Sequence, residues 1–445
     1  MKITHYVNSF VTVKEKNTVI ACDPWIGFGS ENGWLSYPIY KNGNKILETI
    51  NPKYIYISHL HCDHLDKINL KRLKDKKVNI IIKKFKNKRL KFKLLQLGFK
   101  NIIECDEWKK YILDKNISIA IIPQMTTNSS DKEDSVNYDL DTSIVIQSNF
   151  TKKIFYNNVD IPLSLNDLKK VKNFVTNEFK NNIDICCFPA GAAGEYPQCF
   201  MNINRIKEKN KIIKSHLRTL AKQVKVLNVK NFFHAGGIFT IYGKFNSLNS
   251  LIATPNEQQI TNIFNRLKIN YYNILGGNSL DFKNNKFKKN ISFKLNFPPK
   301  EKIIQKTKNI KYFYERNSKK FEKEKIDSAF RKAKKNYFKI LKNFRIESSW
   351  KIDFWIYNKL TLNKFSLIDK KKSKFIKKYS LNFMGNKKKF SHLKCYLDDS
   401  LFMGMLEKKF PWNPAIAGSV VMFERKPNVF DPSLTNSLNF LNYKL

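Results

Sequence analysis

Cysteine, histidine, acidic residues and long apolar runs are all in short supply in this chain. Its seven cysteines (Cys22, Cys62, Cys105, Cys186, Cys187, Cys199 and Cys395) form no Cys-x-x-Cys pair and no framework spacing. That excludes a disulfide scaffold and fits reduced thiols in a cytoplasm. No apolar run approaches the roughly 20 residues that span a bilayer. The opening Met1-Lys-Ile-Thr-His-Tyr-Val reads as a strand and lacks the apolar stretch of a signal peptide. A cytoplasmic protein without a transmembrane segment is therefore expected. No P-loop, GxGxxG or Ser-His-Asp order is present, and no internal repeat.

Acidic residues number 37 against 82 lysines and arginines, a net charge of +45. Such an excess attracts nucleic acid or anionic membranes in general. Lys, Asn, Ile and Phe are abundant along the whole chain, however, as in proteins of AT-rich genomes, and lysine then fills exposed positions. The densest clusters, Lys83 to Lys93, Lys370 to Lys378 and Lys387 to Lys389, are interleaved with Phe85, Phe92, Phe375 and Phe390. At these spacings the aromatics read as buried faces of basic elements, so no specific nucleic-acid partner is expected.

Histidine occurs seven times, and three of the seven fall within Tyr54-Ile-Tyr-Ile-Ser58-His59-Leu-His61-Cys-Asp63-His64. The apolar, β-branched and aromatic start reads as a buried strand that delivers four potential metal ligands. Residues two apart in extended backbone point the same way, so His59 and His61 can close on one ion. A turn after His61 lets Asp63 and His64 approach from another side. Imidazole and carboxylate suit zinc, and also iron or manganese. Two pairs aimed differently suggest two neighbouring metals that activate a bridging water. Cys62 points away and reads as packing.

The first part of the chain alternates strands and helices. Residues 2–13 and 17–24 read as a hairpin that ends at Asp23-Pro24-Trp25, and a Gly- and aromatic-rich loop follows from Gly27 to Tyr40. Asp66 is a plausible helix N-cap. Apolar runs at 78–82, 101–104, 117–122, 143–147 and 153–156 are further strands. Asn166-Asp-Leu-Lys169 opens a helix, Ile183 to Phe188 is a buried strand, 203–227 reads as a long helix, and Asn231-Phe-Phe-His234 is another strand end. Composition shifts near 285–300, with Pro298-Pro299 marking a boundary. Beyond it, Ile326, Phe330, Ala333, Tyr337, Leu341 and Phe344 make the apolar stripe of an amphipathic helix, and 353–357 and 418–423 look like strands. The expected division is a site-bearing domain over 1–290 and a basic α+β extension over 291–445.

The His59-x-His61-x-Asp63-His64 signature, the early Asp23-Pro24-Trp25 and the strand–helix alternation resemble the metallo-β-lactamase superfamily. That resemblance implies an α/β fold, a four-layer αββα sandwich with metals at one sheet edge. More specifically, Ile55 to Leu65, Asp141-Thr142, the loop Phe188-Pro-Ala-Gly191-Ala-Ala-Gly194-Glu-Tyr-Pro197 and Ala235-Gly236 are similar to the metallo-β-lactamase-like portion of CMP-N-acetylneuraminate hydroxylases. The Rieske Cys-x-His and Cys-x-x-His pairs of those enzymes are absent here. Histidine is also absent between His64 and His216, where superfamily members place another ligand. Asn137 stands there instead, with Asp139 and Asp141 nearby.

The resemblance implies that Asp160, ending the strand Lys153 to Val159, bridges the metals, and that His234 completes the second position. Neutral amide oxygen binds zinc poorly, so Asp141 is a better substitute than Asn137, as a ligand or as a group orienting a histidine. Asp23 is expected behind the ligands. Trp25 and Trp34 are weighed as pocket walls against plain packing, and Gly191 and Gly194 as close backbone contacts to substrate. His5 either reaches the site or is a satisfied strand histidine; His216 and His392 read as structural.

The leading expectation is a metal-dependent hydrolase with two divalent ions, zinc first and iron as the alternative. Asp63 holds the second ion and orients or deprotonates the water that attacks a polar, anionic small molecule (a sugar, nucleotide sugar or phosphoester). The alternatives are an oxygenase component of the hydroxylase type, fed by a separate ferredoxin-like donor, and a degraded nucleotide-sugar-binding protein.

Overall fold

The computed structural model describes residues 1–28, 33–40, 43–125, 141–189, 191, 194–283, 286–291, 298–316, 322–343, 350–382, 391–431, 434 and 438–441. Strands β1 (Lys2–Val7), β2 (Phe10–Glu15) and β3 (Thr18–Cys22) form an antiparallel meander. After β4 (Trp34–Ser36), strands β5 (Tyr54–Tyr56), β6 (Asn79–Lys83) and β7 (Ile102–Cys105) extend the same sheet in parallel. Helices α1 (Gly43–Ile50), α2 (Lys67–Arg72) and α3 (Arg89–Gln96) lie in the crossovers.

The second sheet repeats this plan. Strands β8 (Lys110–Ile112), β9 (Ile117–Pro123), β10 (Thr142–Ser148) and β11 (Ile154–Asn157) are antiparallel neighbours. Strands β12 (Ile185–Phe188) and β13 (Asn231–His234) then continue in parallel. Strand β14 (Phe239–Ile241) pairs with β4 as a separate ribbon, and β15 (Asn270–Tyr271) closes the second sheet beside β13. The crossover helices are α4 (Leu165–Phe179), α5 (Arg205–Leu227) and α6 (Glu257–Arg266). Strands β16 (Asn278–Lys283) and β17 (Lys286–Asn290) return to the first sheet beside β1.

Alternation along the strands builds the layers. Ile3, Val13, Ile20 and Tyr56 of the first sheet meet Ile119, Ile144, Phe155 and Cys187 of the second in one buried cluster. The opposite faces are covered by helices: Ile55 and Ile80 pack with Leu70, Leu90 and Leu94, and Val145 and Tyr156 with Val171, Leu220 and Phe264. Each such fully buried side chain contributes roughly 1.5–3 kcal/mol. The result is a four-layer αββα sandwich. Helix starts follow local chemistry: Asp66 accepts from Ile68 and Asn69 N–H, Ser164 and Asp167 form a capping box, and Asn204 caps α5.

One expected element divides. Residues 2–13 are two strands, because Asn8 takes a left-handed φ of 37° and reverses the chain. Asn8 Oδ1 then accepts from Ile238 N–H at 2.8 Å.

The chain continues through α7 (Lys300–Thr307), α8 (Phe313–Arg316) and α9 (Lys323–Asn343) into a mixed four-stranded sheet. Its strands are β18 (Trp350–Tyr357), β19 (Phe375–Leu381), β20 (Ser391–Asp398) and β21 (Met422–Lys426), in the order β19-β18-β20-β21. Helices α10 (Asp399–Leu406) and α11 (Trp412–Ala417) precede the last strand. The stripe Ile326, Phe330, Ala333, Tyr337 and Leu341 is buried as its period requires; Phe344 lies outside the described residues. The strand expected over 418–423 begins instead at Met422. Among the described residues no helix is long and apolar enough to cross a membrane.

Candidate metal centre

Strand β5 ends at Tyr56, and the backbone after it carries the motif along the edge where both sheets stop. The position is set from behind. Asp23, fully buried with φ 45°, accepts from Ser58 N–H at 2.8 Å and from Ser58 Oγ at 2.7 Å. His64 Nδ1 donates to the same carboxylate at 2.9 Å. Ser58 Oγ, having spent its proton on Asp23, can accept from His59 Nδ1, 2.9 Å away. One carboxylate thus fixes the tautomer of two histidines and leaves both Nε2 atoms facing forward.

Forward of them the ligand atoms fall into two groups. His59, His61 and Asp141 bring one atom each within 4.8 Å of one another, and Asp63, His64 and Asp160 do the same. In the first group His59 Nε2 is 2.8 Å from His61 Nδ1 and 3.4 Å from Asp141 Oδ1. In the second, His64 Nε2 is 3.1 Å from Asp160 Oδ2 and 3.4 Å from Asp63 Oδ2. The ring centroids of His59 and His64 are 4.1 Å apart, so the groups are neighbours. Asp141 arrives from the other sheet. Thr142 beside it donates from Oγ1 to the Ser58 carbonyl at 2.8 Å and accepts from Tyr56 OH at 2.6 Å, tying β10 to β5.

The electrostatics call for cations. Burial, reinforced by Asp160 and Asp63, raises the Asp141 carboxyl to about 6 despite nearby His61 and His64. Burial disfavours charge on His64 too, yet Asp63, Asp160 and Asp23 hold its proton well above the ordinary imidazole range. Burial and the neighbouring His64 push His59 down to about 4. For Asp63, burial alone would raise the carboxyl, but the charge and hydrogen bond of His64 hold it at about 2. Carboxylates crowded at this spacing repel, and divalent ions relieve that repulsion while replacing the proton on His64.

The remaining candidate residues fall in several settings. His234 joins neither group; its Nδ1 is 2.7 Å from the Tyr271 hydroxyl, an in-sheet bond that turns the ring toward β15. Trp25 is 0% exposed and packs 5.0 Å from Trp34, so both indoles sit in a core and not on a pocket wall. Gly191 is close to protein backbone and not to a ligand space: a Cβ on Gly237 would lie 2.1 Å from its carbonyl. Gly194 borders open space. Asn137 lies outside the described residues. His5 donates from Nε2 to the Asn8 carbonyl at 2.7 Å, His216 pairs with the Pro189 carbonyl and His392 with Asp353. Ser58 and Thr142 were named in the sequence only as parts of longer segments, without these roles; a hydroxyl directly before His59 and one after Asp141 were the available signals.

Two sheets of matching order, helices outside and a His-x-His-x-Asp-His edge decide the architecture. This is the metallo-β-lactamase fold. With its two ligand groups, it supports a metal-dependent enzyme that binds divalent ions. No protein-family model matches the chain. A candidate Rieske 2Fe-2S iron–sulfur protein of Mycolicibacterium smegmatis is 27% identical over 112 residues, 25% of this chain and 21% of that protein. The cytidine monophosphate-N-acetylneuraminic acid hydroxylase of Xenopus laevis is 28% identical over 154 residues, 33% of this chain and 24% of that protein. The chain thus matches about a quarter or less of the length of these relatives. Among solved structures, a metallo hydrolase of Ignicoccus hospitalis overlaps 63% of this chain and 99% of its own at 15% identity and TM-score 0.42. The diiron β-hydroxylase of Streptomyces venezuelae overlaps 61% of this chain and 52% of its own at 13% identity and TM-score 0.39.

Proposed function

We propose that the chain is an oxygen-using hydroxylase component with two iron ions, one held by His59, His61 and Asp141 and the other by Asp63, His64 and Asp160. Asp141 carries this reading. It turns the first group into two histidines and a carboxylate, the donor set of non-haem iron oxygenases and one that catalytic zinc also accepts. Across both groups imidazole and carboxylate are balanced three to three. Iron bound there supplies one-electron chemistry toward dioxygen. The chain's own residues hold the ions, and Asp23 keeps the two histidines aimed. A substrate carbon–hydrogen bond, dioxygen, two electrons and two protons yield the alcohol and water. The electrons come from a separate iron–sulfur donor, a role that the similarity to a Rieske protein and a nucleotide-sugar hydroxylase supports. Nucleotide sugars are the proposed substrate class, and Gly194 is the proposed backbone contact.

The test is metal reconstitution followed by turnover. Protein reconstituted anaerobically with ferrous iron is expected to take up two irons, and the zinc-loaded protein, which a site of these donors forms more readily, is expected to be inactive as a hydroxylase. Oxygen-dependent hydroxylation with a reduced ferredoxin-type donor should follow iron and vanish in Asp141→His. An iron-loaded wild type that forms no hydroxylated product with dioxygen and a reduced donor, beside a zinc-loaded one that hydrolyses, sinks the oxygenase reading.

That outcome would favour the second reading, a zinc hydrolase. It draws on the open side of the site, where Asp160 is 26% exposed and His61 reaches solvent. Water therefore has access to both groups, and paired ions lower the pKa of such a water. Zinc-dependent, oxygen-independent cleavage of a phosphoester would establish it.

A further inference from the structure

Among the described non-glycine residues with positive φ, most are Asn, Asp, Lys or Ser, and Val159 alone is β-branched. Its φ of 53° is a conformation in which two Cγ branches crowd the backbone, a genuine outlier for this residue type. Such strain persists only where the surroundings over-determine it, and it concentrates at functional sites. Val159 immediately precedes Asp160.

The surroundings do over-determine it. Asn157 Oδ1 accepts from Val159 N–H at 3.1 Å, and Asn158 N–H donates to the Cys187 carbonyl at 3.1 Å. Asn158 Nδ2 reaches across the turn to the Ile161 carbonyl at 3.0 Å, while its Oδ1 accepts from Tyr156 OH. The Val159 side chain is 3% exposed and belongs to the core cluster between the sheets, with Phe155, Cys187 and Phe233. Asp160, by contrast, has little to hold it. Among the described residues its carboxylate hydrogen-bonds only to His64, and Gly236 backs it so closely that a Cβ there would lie 3.2 Å from Oδ1. Its aim must come from the backbone. Glycine would enter the left-handed turn without strain, but it would give the turn no anchor in the core.

We propose that Val159 is the positioning residue of the Asp63, His64 and Asp160 group: its buried side chain pins the left-handed turn that points Asp160 at His64. The inference rests on the two-ion reading above and adds to it the element that aims one ligand.

The test is manganese binding to the full-length apoprotein by calorimetry and electron paramagnetic resonance, with urea unfolding alongside, in wild type, Val159→Gly, Val159→Ala and Val159→Ile. Wild type is expected to take up two ions. Val159→Gly is expected to bind the first as wild type does and the second on the order of tenfold more weakly, as other orienting groups around metal ligands do when removed. Val159→Ile, which keeps the anchor, should restore the second affinity. In urea the glycine variant should be at least as stable as the alanine variant, the reverse of the usual order. A general packing role would instead make the glycine variant less stable than the alanine variant and leave both affinities alike. Unchanged second-ion affinity in Val159→Gly overturns this inference and leaves the two-ion reading standing. No uptake by wild type overturns both.

Discussion

At the scale of single residues, the candidate ligands that lie together in the loop after β5 were legible and those brought by the fold were partly so. His59, His61, Asp63 and His64 are local, and extended backbone followed by a turn dictates their grouping. Asp141 and Asp160 come from the other sheet, and only the fold decides which histidines they meet. His234 lies outside both groups of closely spaced ligand atoms, with its Nδ1 against Tyr271 on the adjacent strand; spacing in sequence does not show which strand-end residues the sheets bring together. His5 was open between ligand and strand residue, and its bond to Asn8 makes it structural. That role has a consequence in pH. Burial depresses the His5 imidazole to about 4, only partly opposed by its bond to Asn8, against 6.5 in the unfolded chain. A depressed folded value means the unfolded state binds the proton first. The contribution is therefore complete above pH 6.5 and lost as pH falls from there through 4, on the order of 3 kcal/mol in all. Metal-free wild type should lose urea resistance between pH 7.5 and pH 5. His5→Gln, whose amide can still donate to the Asn8 carbonyl, should lose distinctly less; equal losses in the two proteins would remove His5 from the account.

At the scale of elements, the buried strands and amphipathic helices were legible because their apolar periods are unbroken. The Asn8-Ser9 turn was not, since two polar residues in a stretch already mixed with Thr4, His5 and Thr12 give little sign that the chain reverses. Nor does periodicity reveal how two sheets are registered at their common edge. Thr142 does that work between β5 and β10, with Tyr56 OH on one side and the Ser58 carbonyl on the other. Thr142→Val keeps shape and β preference but strands both partners in a buried place, where each unsatisfied polar group costs about 1–3 kcal/mol. The expected result is a lower urea midpoint. Affinity should also fall at the His59, His61 and Asp141 position more than at the other, because Asp141 is the adjacent residue. Equal weakening of both positions, or none, would show that the edge is registered by something else.

At the scale of the whole molecule, the shift in composition near residue 290 suggested a division that packing complicates. We propose that residues 291–445 form a basic α+β extension that nonetheless shares its apolar core with the site-bearing part. Trp25, Trp34, Phe239 and Ile241 lie in one cluster with Phe354, Phe402, Trp412 and Val420. Phe423 and the segment Cys199–Met201 exchange backbone hydrogen bonds at 2.8 Å, and Lys244 pairs with Asp398 at 2.6 Å. Contacts between positions so far apart in the chain leave no periodic trace, which is why the tryptophans of the early loop could be read as pocket walls. A chain ending at residue 290 would uncover both indoles and the β4–β14 ribbon. Aromatic side chains bury roughly 150–250 Å² each, so the exposed patch would exceed what monomeric proteins usually present. The truncated chain should aggregate or bind a hydrophobic dye strongly. It should also lose metal affinity although every candidate ligand is retained, because the Trp25 backbone N–H donates to the Asp23 carbonyl at 2.8 Å and Asp23 aims His64 and, through Ser58, His59. A monodisperse truncation with unchanged metal uptake would show that the extension leaves the centre alone.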